Sequence, residues 1–211
     1  MAMPHVSPFS LPRRTALRAS LWGAFAASWL ASSRAEAREP AGKVEALRGE
    51  AFVQAASRRA LIQAADIFVG DTVATGANSA VALRFGAATL VRLGADTQLR
   101  IDRFIVNAGG ILELARGAMA FDRDEAAPKT DIAIRSPFGL IAVRGTRFFA
   151  GPSNDVFGVF VARGEVKVVA GGSAFALTAT LGTDIAKPGD SPTEPHVWGA
   201  SRIQRAFASV E

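Results

Sequence analysis

Four Arg-Gly pairs interrupt this chain of 211 residues at equivalent points of its hydrophobic pattern. At each pair one short apolar stretch ends and another begins. The pairs are Arg48-Gly49, Arg116-Gly117, Arg144-Gly145 and Arg163-Gly164. Glycine inside strand-like sequence marks a bend, a bulge or a close approach of two backbones. The repeated pattern therefore predicts a protein built from short strands that turn at glycines.

The sequence between the pairs also indicates an all-β fold. Apolar and polar residues alternate most clearly in residues 80–85 and 166–168, as they do in a half-buried strand. Turn-forming residues recur between such stretches, for example at Gly70-Asp71 and in residues 107–110 and 151–155. Many short strands separated by turns are typical of a sandwich, a barrel or a β-solenoid. Because alternation is common to all three, the sequence leaves this choice open.

The C-terminal residues 191–211 have a different character. Residues 191–195 contain two prolines and predict a linker. Residues 196–211 carry apolar side chains at helical spacing, which predicts a C-terminal helix. Two roles are open for Trp198, Ile203 and Phe207. They either pack the helix back on the edge of the sheet or contact a partner protein as exposed anchors.

Residues 1–37 have the features of an export signal. Arg13 and Arg14 open a basic region, residues 21–31 are apolar, and Ala35 and Ala37 form a small-x-small cleavage site. The apolar run is shorter than the roughly 20 residues that a spanning helix needs. The paired arginines resemble a twin-arginine signal, and an ordinary secretory signal is the alternative.

Either signal predicts a periplasmic bacterial protein whose mature form begins at Arg38. Such a protein meets the membrane only during export, unless the signal stays uncleaved and tethers it. The predicted organisation is an export signal in residues 1–37, an all-β domain in residues 38–190, and a linker with a helix in residues 191–211.

The net charge of +5 does not indicate a nucleic-acid-binding protein. Four basic residues and one acidic residue lie in the first 37 residues, which leaves 20 basic and 18 acidic residues in the rest. Nucleic-acid binding needs a concentrated basic surface, and the longest basic run there is Arg58-Arg59. The chain has no cysteine, which excludes disulfides, thiol catalysis and cysteine metal sites.

Residues for catalysis or cofactor binding are scarce. The only histidines are His5 and His196, and neither a Gly-x-Ser-x-Gly motif nor a phosphate-binding loop occurs. Asp122, Asp124 and Glu125 form an acidic group in a turn. A solvated loop is the expected role of that turn, with a calcium site as the alternative. The sequence therefore predicts a non-enzymatic protein without a cofactor or a bound metal.

Three segments carry motifs that resemble a FecR domain. Residues 69–85 contain Gly-Asp followed by Thr-Gly, and residues 89–101 continue the pattern. Residues 136–148 contain Ser-Pro-x-Gly and Arg-Gly-Thr-x-Phe. These motifs are fairly specific in their order and spacing, and the resemblance covers roughly residues 42–170. One departure is Gly86-Ala87-Ala88, where the family usually has an Asp-Gly turn.

The resemblance implies an all-β, glycine-turned periplasmic domain. The best-known FecR proteins are membrane regulators whose periplasmic domain receives a signal from an outer-membrane iron-siderophore transporter. Their cytoplasmic segment controls a sigma factor. The chain resembles only the periplasmic part. The roughly 20 residues before its apolar segment are expected to leave no room for a cytoplasmic helix bundle. A sensing or binding module is therefore what the resemblance implies.

The residues that match the family motifs are expected to have mainly structural roles. They are Gly70, Asp71, Thr75, Gly76, Pro137, Gly139, Arg144, Gly145 and Thr146. Asp71 is expected to bond a backbone amide two residues on, and Gly76 to adopt a positive φ. Arg144 either pairs inside the protein, with Thr146 filling a strand position, or binds a carboxylate or phosphate together with Thr146.

Two classes of function follow. The first is a non-enzymatic periplasmic binding or signalling module for an envelope protein, which could add a strand to an exposed sheet edge. The second is an envelope protein that binds or processes carbohydrate or peptidoglycan. That class needs aromatic platforms or two carboxylates across a cleft. Trp198 is the only tryptophan after residue 37, so the second class has few of the residues that it needs.

Overall fold

The computed structural model describes residues 38–54, 57–105 and 108–211. The predicted export signal, with Arg13, Arg14, Ala35 and Ala37, lies outside these residues. The described part forms eighteen strands and one helix. They are β1 (Pro40–Arg48), β2 (Ala51–Gln54), β3 (Arg58–Ala60), β4 (Asp66–Phe68), β5 (Thr72–Thr75), β6 (Ala80–Phe85), β7 (Thr89–Leu93), β8 (Gln98–Ile105), β9 (Gly109–Arg116), β10 (Met119–Arg123), β11 (Ile132–Ser136), β12 (Gly139–Val143), β13 (Arg147–Ser153), β14 (Val156–Arg163), β15 (Glu165–Ala170), β16 (Ser173–Thr178), β17 (Leu181–Ile185), β18 (His196–Val197) and α1 (Ala200–Ala208).

Two nine-stranded sheets contain these strands. Sheet A has the order β18-β17-β14-β13-β10-β7-β6-β1-β4, and sheet B has the order β16-β15-β12-β11-β9-β8-β5-β2-β3. Neighbouring strands are antiparallel, with the exception of β9 and β11, which are parallel. Each sheet ends in two edge strands, so the fold is a sandwich and not a closed barrel. The predicted all-β fold is therefore confirmed. Of the sandwich, barrel and solenoid that the sequence left open, the sandwich is the one that forms.

The core lies between the two sheets. Sheet A contributes Leu83, Phe121 and Phe148, and sheet B contributes Leu112 and Ile134, all without exposed surface. The rings of Phe121 and Phe148 stack with centroids 5.4 Å apart. Along each strand, every second side chain points into this core, and this alternation is the origin of the period-two pattern in the sequence. Burial of each such side chain contributes about 1.5–3 kcal/mol.

Each Arg-Gly pair lies at a corner where the chain passes from one sheet to the other. The corners join β1 to β2, β9 to β10, β12 to β13, and β14 to β15. The four glycines have φ values of +73°, +85°, +67° and +82°, in the left-handed region that favours glycine. The predicted bends are confirmed, and their effect is to alternate the strands between the two sheets.

At three of these corners a close approach adds to the backbone requirement. One is Gly164, where an added Cβ would lie 2.8 Å from the carbonyl oxygen of Gly145. A Cβ added at Gly117 would overlap the side chain of Thr97. Thr97 Oγ1 accepts a hydrogen bond from the backbone N–H of Ala118 at 3.0 Å, so the hydroxyl cannot move away without losing this bond. The same arrangement recurs at Gly49, which lies against Ser79. Gly49, Gly117 and Gly164 are therefore required by space as well as by φ.

Three short strands have no counterpart in the sequence pattern. They are β3, β4 and β18, of three, three and two residues. β18 lies inside residues 196–211, which the sequence predicted as a helix, whereas α1 begins only at Ala200. Segments of this length are too short for apolar and polar residues to show an alternation. Pairing with a neighbouring strand is what makes them extended.

The C-terminal helix packs on the outer face of sheet A. Trp198 is 3% exposed, and its ring centroid lies 6.5 Å from that of Phe149 and 5.3 Å from that of Phe160. Ile203 and Phe207 are partly buried against the same cluster. Of the two predicted roles for these side chains, packing against the sheet is the one observed. They lie on its face, whereas the sequence predicted its edge.

Polar contacts also hold the C-terminal segment. The Arg202 guanidinium lies 3.5 Å from the ring centroid of Trp198 and donates to Asp184 Oδ1 at 2.6 Å and Oδ2 at 3.0 Å. Thr183 Oγ1 donates to the carbonyl of Thr193 at 2.6 Å, so the predicted linker is bound to β17.

Within the described ranges, no helix is long and apolar enough to cross a membrane.

Candidate binding face of sheet B

The outer face of sheet B carries an open groove of about 1170 Å³. The helix α1 packs on the outer face of sheet A, so it leaves this face uncovered. Strands β8, β9, β11, β12, β15 and β16 contribute to the lining, together with corners between strands. We call it the sheet-B groove and define it by Arg103, Ile111, Ala133, Ala142, Arg144 and Lys167.

A single cross-strand row forms the floor of the sheet-B groove. The register places five residues side by side, in the order Arg103, Ile111, Ala133, Ala142 and Lys167. Adjacent strands lie about 4.8 Å apart, so the Cα atoms of the two basic residues are roughly 19 Å apart. The middle of the row consists of Ala133 and Ala142, whose side chains are short. The floor is therefore shallow, with a basic residue at each end.

Four charged residues form a rim along the side of the groove where the strands turn. They are Lys129, Asp131, Arg144 and Glu165, all exposed. The side chain of Arg144 is 69% exposed, and its Nε lies 3.7 Å from Asp131 Oδ1. An ion pair this exposed contributes little, because water and salt screen it. Arg144 is therefore available to a ligand at a low cost.

The sheet-B groove carries more positive than negative charge. Its lining includes four basic and two acidic side chains. Among the described residues, only one of these four basic side chains, that of Arg144, has a carboxylate within ion-pair distance. The other three, which have none, are Arg103, Lys129 and Lys167. A group with negative charge is therefore the ligand chemistry that this surface complements.

Of the residues that define this groove, the sequence motifs pointed only to Arg144. Arg103 and Lys167 lie on β8 and β15, which are separated by six strands in the chain. The order of strands within sheet B brings them to one face, because β9, β11 and β12 lie between β8 and β15. No local motif carries that information.

Arg144 and Thr146 do not form a joint site. Arg144 faces the groove, whereas Thr146 has no exposed surface. Among the described residues, Thr146 Oγ1 has no hydrogen-bond partner. Gly145, with a φ of +67°, turns the chain between the two residues. Of the two side chains, Arg144 is therefore the one that is exposed to a ligand, because Thr146 is buried.

Asp71 is a fully buried carboxylate at the turn between β4 and β5. It accepts hydrogen bonds from the Arg38 guanidinium and from the backbone N–H of Phe68, the latter at 3.1 Å. Arg59 Nη2 lies 3.7 Å from Asp71 Oδ2. The capped amide thus precedes Asp71 by three residues, whereas the sequence predicted one that follows it. Gly70, with a φ of +87°, turns the chain so that the carboxylate meets this earlier amide.

Thr75 also has structural contacts, and Gly76 departs from its predicted conformation. Thr75 Oγ1 donates to the carbonyl of Gly94 at 2.6 Å and accepts from the backbone N–H of Thr97 at 2.9 Å. The φ of Gly76 is not positive, and Asn78 adopts the left-handed conformation instead, with a φ of +53°. Asn tolerates this region because its short polar side chain can bond locally.

Pro137 and Phe138 form the two-residue loop of the hairpin between β11 and β12. The ring of Phe138 stacks on that of Phe157, with centroids 4.4 Å apart and an angle of 6°. Gly139 follows with a φ of +146°. A turn also forms where the chain departs from the FecR pattern, with a φ of +58° at Gly86. These positions shape turns and offer no reactive group.

The acidic group at the end of β10 is held by arginine and by the backbone. Asp122 lies within β10, whereas the sequence predicted it in the turn with Asp124 and Glu125. Asp122 Oδ1 lies 3.0 Å from Arg163 Nη2, and Glu125 Oε1 lies 2.9 Å from Arg163 Nε. Asp124 Oδ1 accepts from the backbone N–H of Ala126 at 2.9 Å. In the described part of the chain, no three His, Cys, Asp or Glu side chains are grouped to hold a metal ion.

Comparisons with known proteins find that part of this sandwich is similar in sequence to the FecR family. The sequence profile of the family described as FecR protein matches residues 71–167, a shorter stretch than the motifs suggest. No curated protein sequence matches the chain.

Solved structures show the same kind of fold. Two crystal structures of a candidate anti-sigma factor from Parabacteroides distasonis ATCC 8503, at 1.65 and 2.50 Å resolution, each align with a TM-score of 0.52 and 15% identity. Each alignment covers 63% of this chain and 62% of that chain, so the chain spans less than two thirds of the length of these relatives. Residues 71–167 are thus FecR-like in sequence, and the sandwich around them shares the fold of that candidate anti-sigma factor.

Proposed function

We propose that this protein is a non-enzymatic periplasmic signalling module that binds an envelope protein through the outer face of sheet B. The sheet-B groove carries this proposal, because it combines a shallow floor with cations that have no partner among the described residues. The FecR-like sequence and the fold shared with a candidate anti-sigma factor support a signalling role. A partner with acidic residues on its surface complements this groove.

A protein fits the sheet-B groove better than a carbohydrate does. The described residues that line the groove include no aromatic side chain. Trp198 is 3% exposed, so it offers no platform on which a sugar ring could stack. Binding to peptidoglycan is therefore the competing outcome in the experiment below and is not a second proposal.

Export to the periplasm is part of this proposal. Residues 1–37 supply a basic region with Arg13 and Arg14 and a cleavage site at Ala35 and Ala37. Cleavage there leaves Arg38 first, and the Arg38 side chain already pairs with the buried carboxylate of Asp71. We expect mass spectrometry of the exported protein to find an N-terminus at Arg38. An intact signal on the exported form would mean that the protein stays tethered.

The route of export is tested by replacing both arginines with lysine, which keeps the positive charge. Loss of export in the Arg13→Lys, Arg14→Lys variant would support the twin-arginine route. Unchanged export would support the general secretory route.

Crosslinking in intact cells tests the binding face. A photo-crosslinking residue placed at Ala142, in the floor of the sheet-B groove, is expected to capture one envelope protein. The matched control is Ala46, which is also an exposed alanine in a strand but belongs to sheet A. A C-terminal tag after Glu211 allows both adducts to be recovered and identified.

The two positions make the result specific. A partner captured from Ala142 and much less from Ala46 would support the proposed face. Equal capture from both positions would place the binding surface elsewhere. Recovery of glycan alone, or of the uncrosslinked protein alone, would overturn the signalling proposal and favour an envelope-binding role.

A further inference from the structure

β16 (Ser173–Thr178) is a free edge of sheet B and borders the sheet-B groove. It pairs with β15 and has no strand on its other side. In the described part of the chain, none of its backbone groups bonds to a segment outside the sheet. The peptide groups that point away from β15 are therefore free to pair with another strand.

The other three edges of the sandwich are shorter. β18 has two residues, and β3 and β4 have three each. Arginines lie along β3, where the Arg58 guanidinium is 3.7 Å from the ring centroid of Phe52 and Arg59 Nη2 donates to the carbonyl of Asp66 at 3.0 Å. Short length and charged side chains are two means by which proteins protect sheet edges from other strands.

β16 lacks each of these protections. Its sequence, Ser-Ala-Phe-Ala-Leu-Thr, contains no charge and no proline. Its register with β15 runs without a bulge from Glu165↔Thr178 to Ala170↔Ser173. An unprotected edge of this length is a site where an extended segment can add to the sheet.

We propose that β16 accepts an extended segment of the partner protein as a further strand of sheet B, and that this segment carries an acidic residue next to an apolar one. The inference rests on the proposed function and identifies the edge and the chemistry of the bound segment. The two sides of β16 make different demands on that segment.

The side of β16 that faces the core calls for an apolar residue. Phe175 and Leu177 lie opposite Val168 and Val166, which belong to the core. Leu177 is buried, but Phe175 at the open edge remains partly exposed. An apolar side chain opposite Phe175 on the added strand would cover this ring and extend the core by one position.

The outer side of β16 calls for an acidic residue. Ala176 lies opposite Lys167, which is exposed and has no carboxylate partner among the described residues. A residue opposite Ala176 on the added strand has its Cα about 10 Å from that of Lys167, two strand spacings away. Because the Ala176 side chain is only a methyl group, a glutamate at that position of the added strand can extend past it to the ammonium group of Lys167.

One end of the edge is already occupied. Ser173 Oγ lies 3.3 Å from Ser191 Oγ, and Ser191 Oγ donates to the carbonyl of Gly171 at 2.8 Å. The added strand therefore has residues 174–178 available. That span includes both Phe175 and Ala176, so an acidic residue and its apolar neighbour can both be accommodated.

Peptide binding to the exported protein tests this inference. The probe is a fluorescent peptide, Thr-Val-Thr-Val-Glu-Val-Thr-Val-Thr, and its control carries Lys in place of Glu. We expect the Glu peptide to slow amide hydrogen exchange in residues 174–178 and to bind about three- to tenfold more tightly than the Lys peptide at low ionic strength. The same Glu peptide with alternate backbone amides methylated should not bind, because it lacks the required donors.

A charge reversal provides the matched variant. Lys167 is exposed, so Lys167→Glu should fold normally, which circular dichroism checks. We expect this variant to prefer the Lys peptide, and Lys167→Gln to bind both peptides alike. Equal affinity of the parent protein for both peptides, or protection of residues outside 174–178, would overturn the inference.

A second copy of the chain could use the same edge. In that case the amides of residues 174–178 would be protected from exchange without peptide, and this protection would increase with protein concentration as the dimer forms. That result would overturn the assignment to a partner segment.

The crosslinking result separates this inference from the proposed function. A partner captured at Ala142 with no peptide binding at β16 would leave the proposed function standing and remove this inference alone.

Discussion

Replacing Trp198 with alanine is expected to destabilise the docked C-terminal segment by about 3–5 kcal/mol, the usual cost of removing a buried large aromatic side chain. The indole is 3% exposed and packs against Phe160 with ring centroids 5.3 Å apart. Its removal would also take away the surface on which the Arg202 guanidinium lies. The helix α1 has nine residues, too few to be stable when undocked.

Hydrogen exchange of the amides in residues 200–208 measures this effect directly. We expect these amides to exchange much faster in Trp198→Ala, while the amides of the core strands β10 and β13 change less. Val197→Ala is the control, because Val197 is the neighbouring residue and is 71% exposed. The control should change stability by less than about 0.5 kcal/mol. Similar exchange in both variants would show that docking of α1 does not depend on the indole.

Replacing Gly117 with alanine is expected to cost about 2–5 kcal/mol of stability for two reasons that add. Its φ of +85° lies in the left-handed region, which costs a residue with a Cβ about 1–2 kcal/mol. The new Cβ would also overlap the side chain of Thr97, and overpacking of this kind costs about 1–3 kcal/mol. The Thr97 hydroxyl is held by its bond to Ala118 and cannot simply rotate away.

Gly145 provides a matched control for the steric part of this cost. It is the glycine of another Arg-Gly pair, with a φ of +67°, but a Cβ added there meets no atom within 4 Å. Gly145→Ala should therefore cost only the backbone contribution of about 1–2 kcal/mol. Urea denaturation of both variants measures the difference. Equal losses of stability would show that the corner at Gly117 relaxes and that space there is not limiting.

The two faces of the sandwich have different roles in this account. Sheet A is covered by Trp198 and by α1, which follows it, whereas sheet B leaves its groove and its β16 edge open. A variant that undocks α1 should therefore lower the stability of the C-terminal segment, with little effect on the affinity of β16 for the peptide. This separation allows the structural role of the C-terminal segment to be tested apart from binding.

Much of the fold follows from local sequence. Period-two alternation predicts strands because it places apolar side chains on one face of an extended chain. The Arg-Gly pairs predict bends, since glycine alone adopts a positive φ without a steric cost. The helical spacing of the apolar residues in 196–211 similarly predicts a helix, and α1 forms within that range, although Trp198 precedes its first residue. Each of these signals depends on a few neighbouring residues, which is why the sequence alone determined it.

The order of the strands was decided only in the tertiary structure. Alternation is the same in a sandwich, a barrel and a solenoid, so it carries no information on which strands become neighbours or which edges stay free. That order brings Arg103 and Lys167 to one face and leaves β16 unpaired. It also decides that Trp198 is buried on sheet A. Such contacts join residues that are distant in the chain, and their energy depends on packing between whole sheets, which no local pattern records.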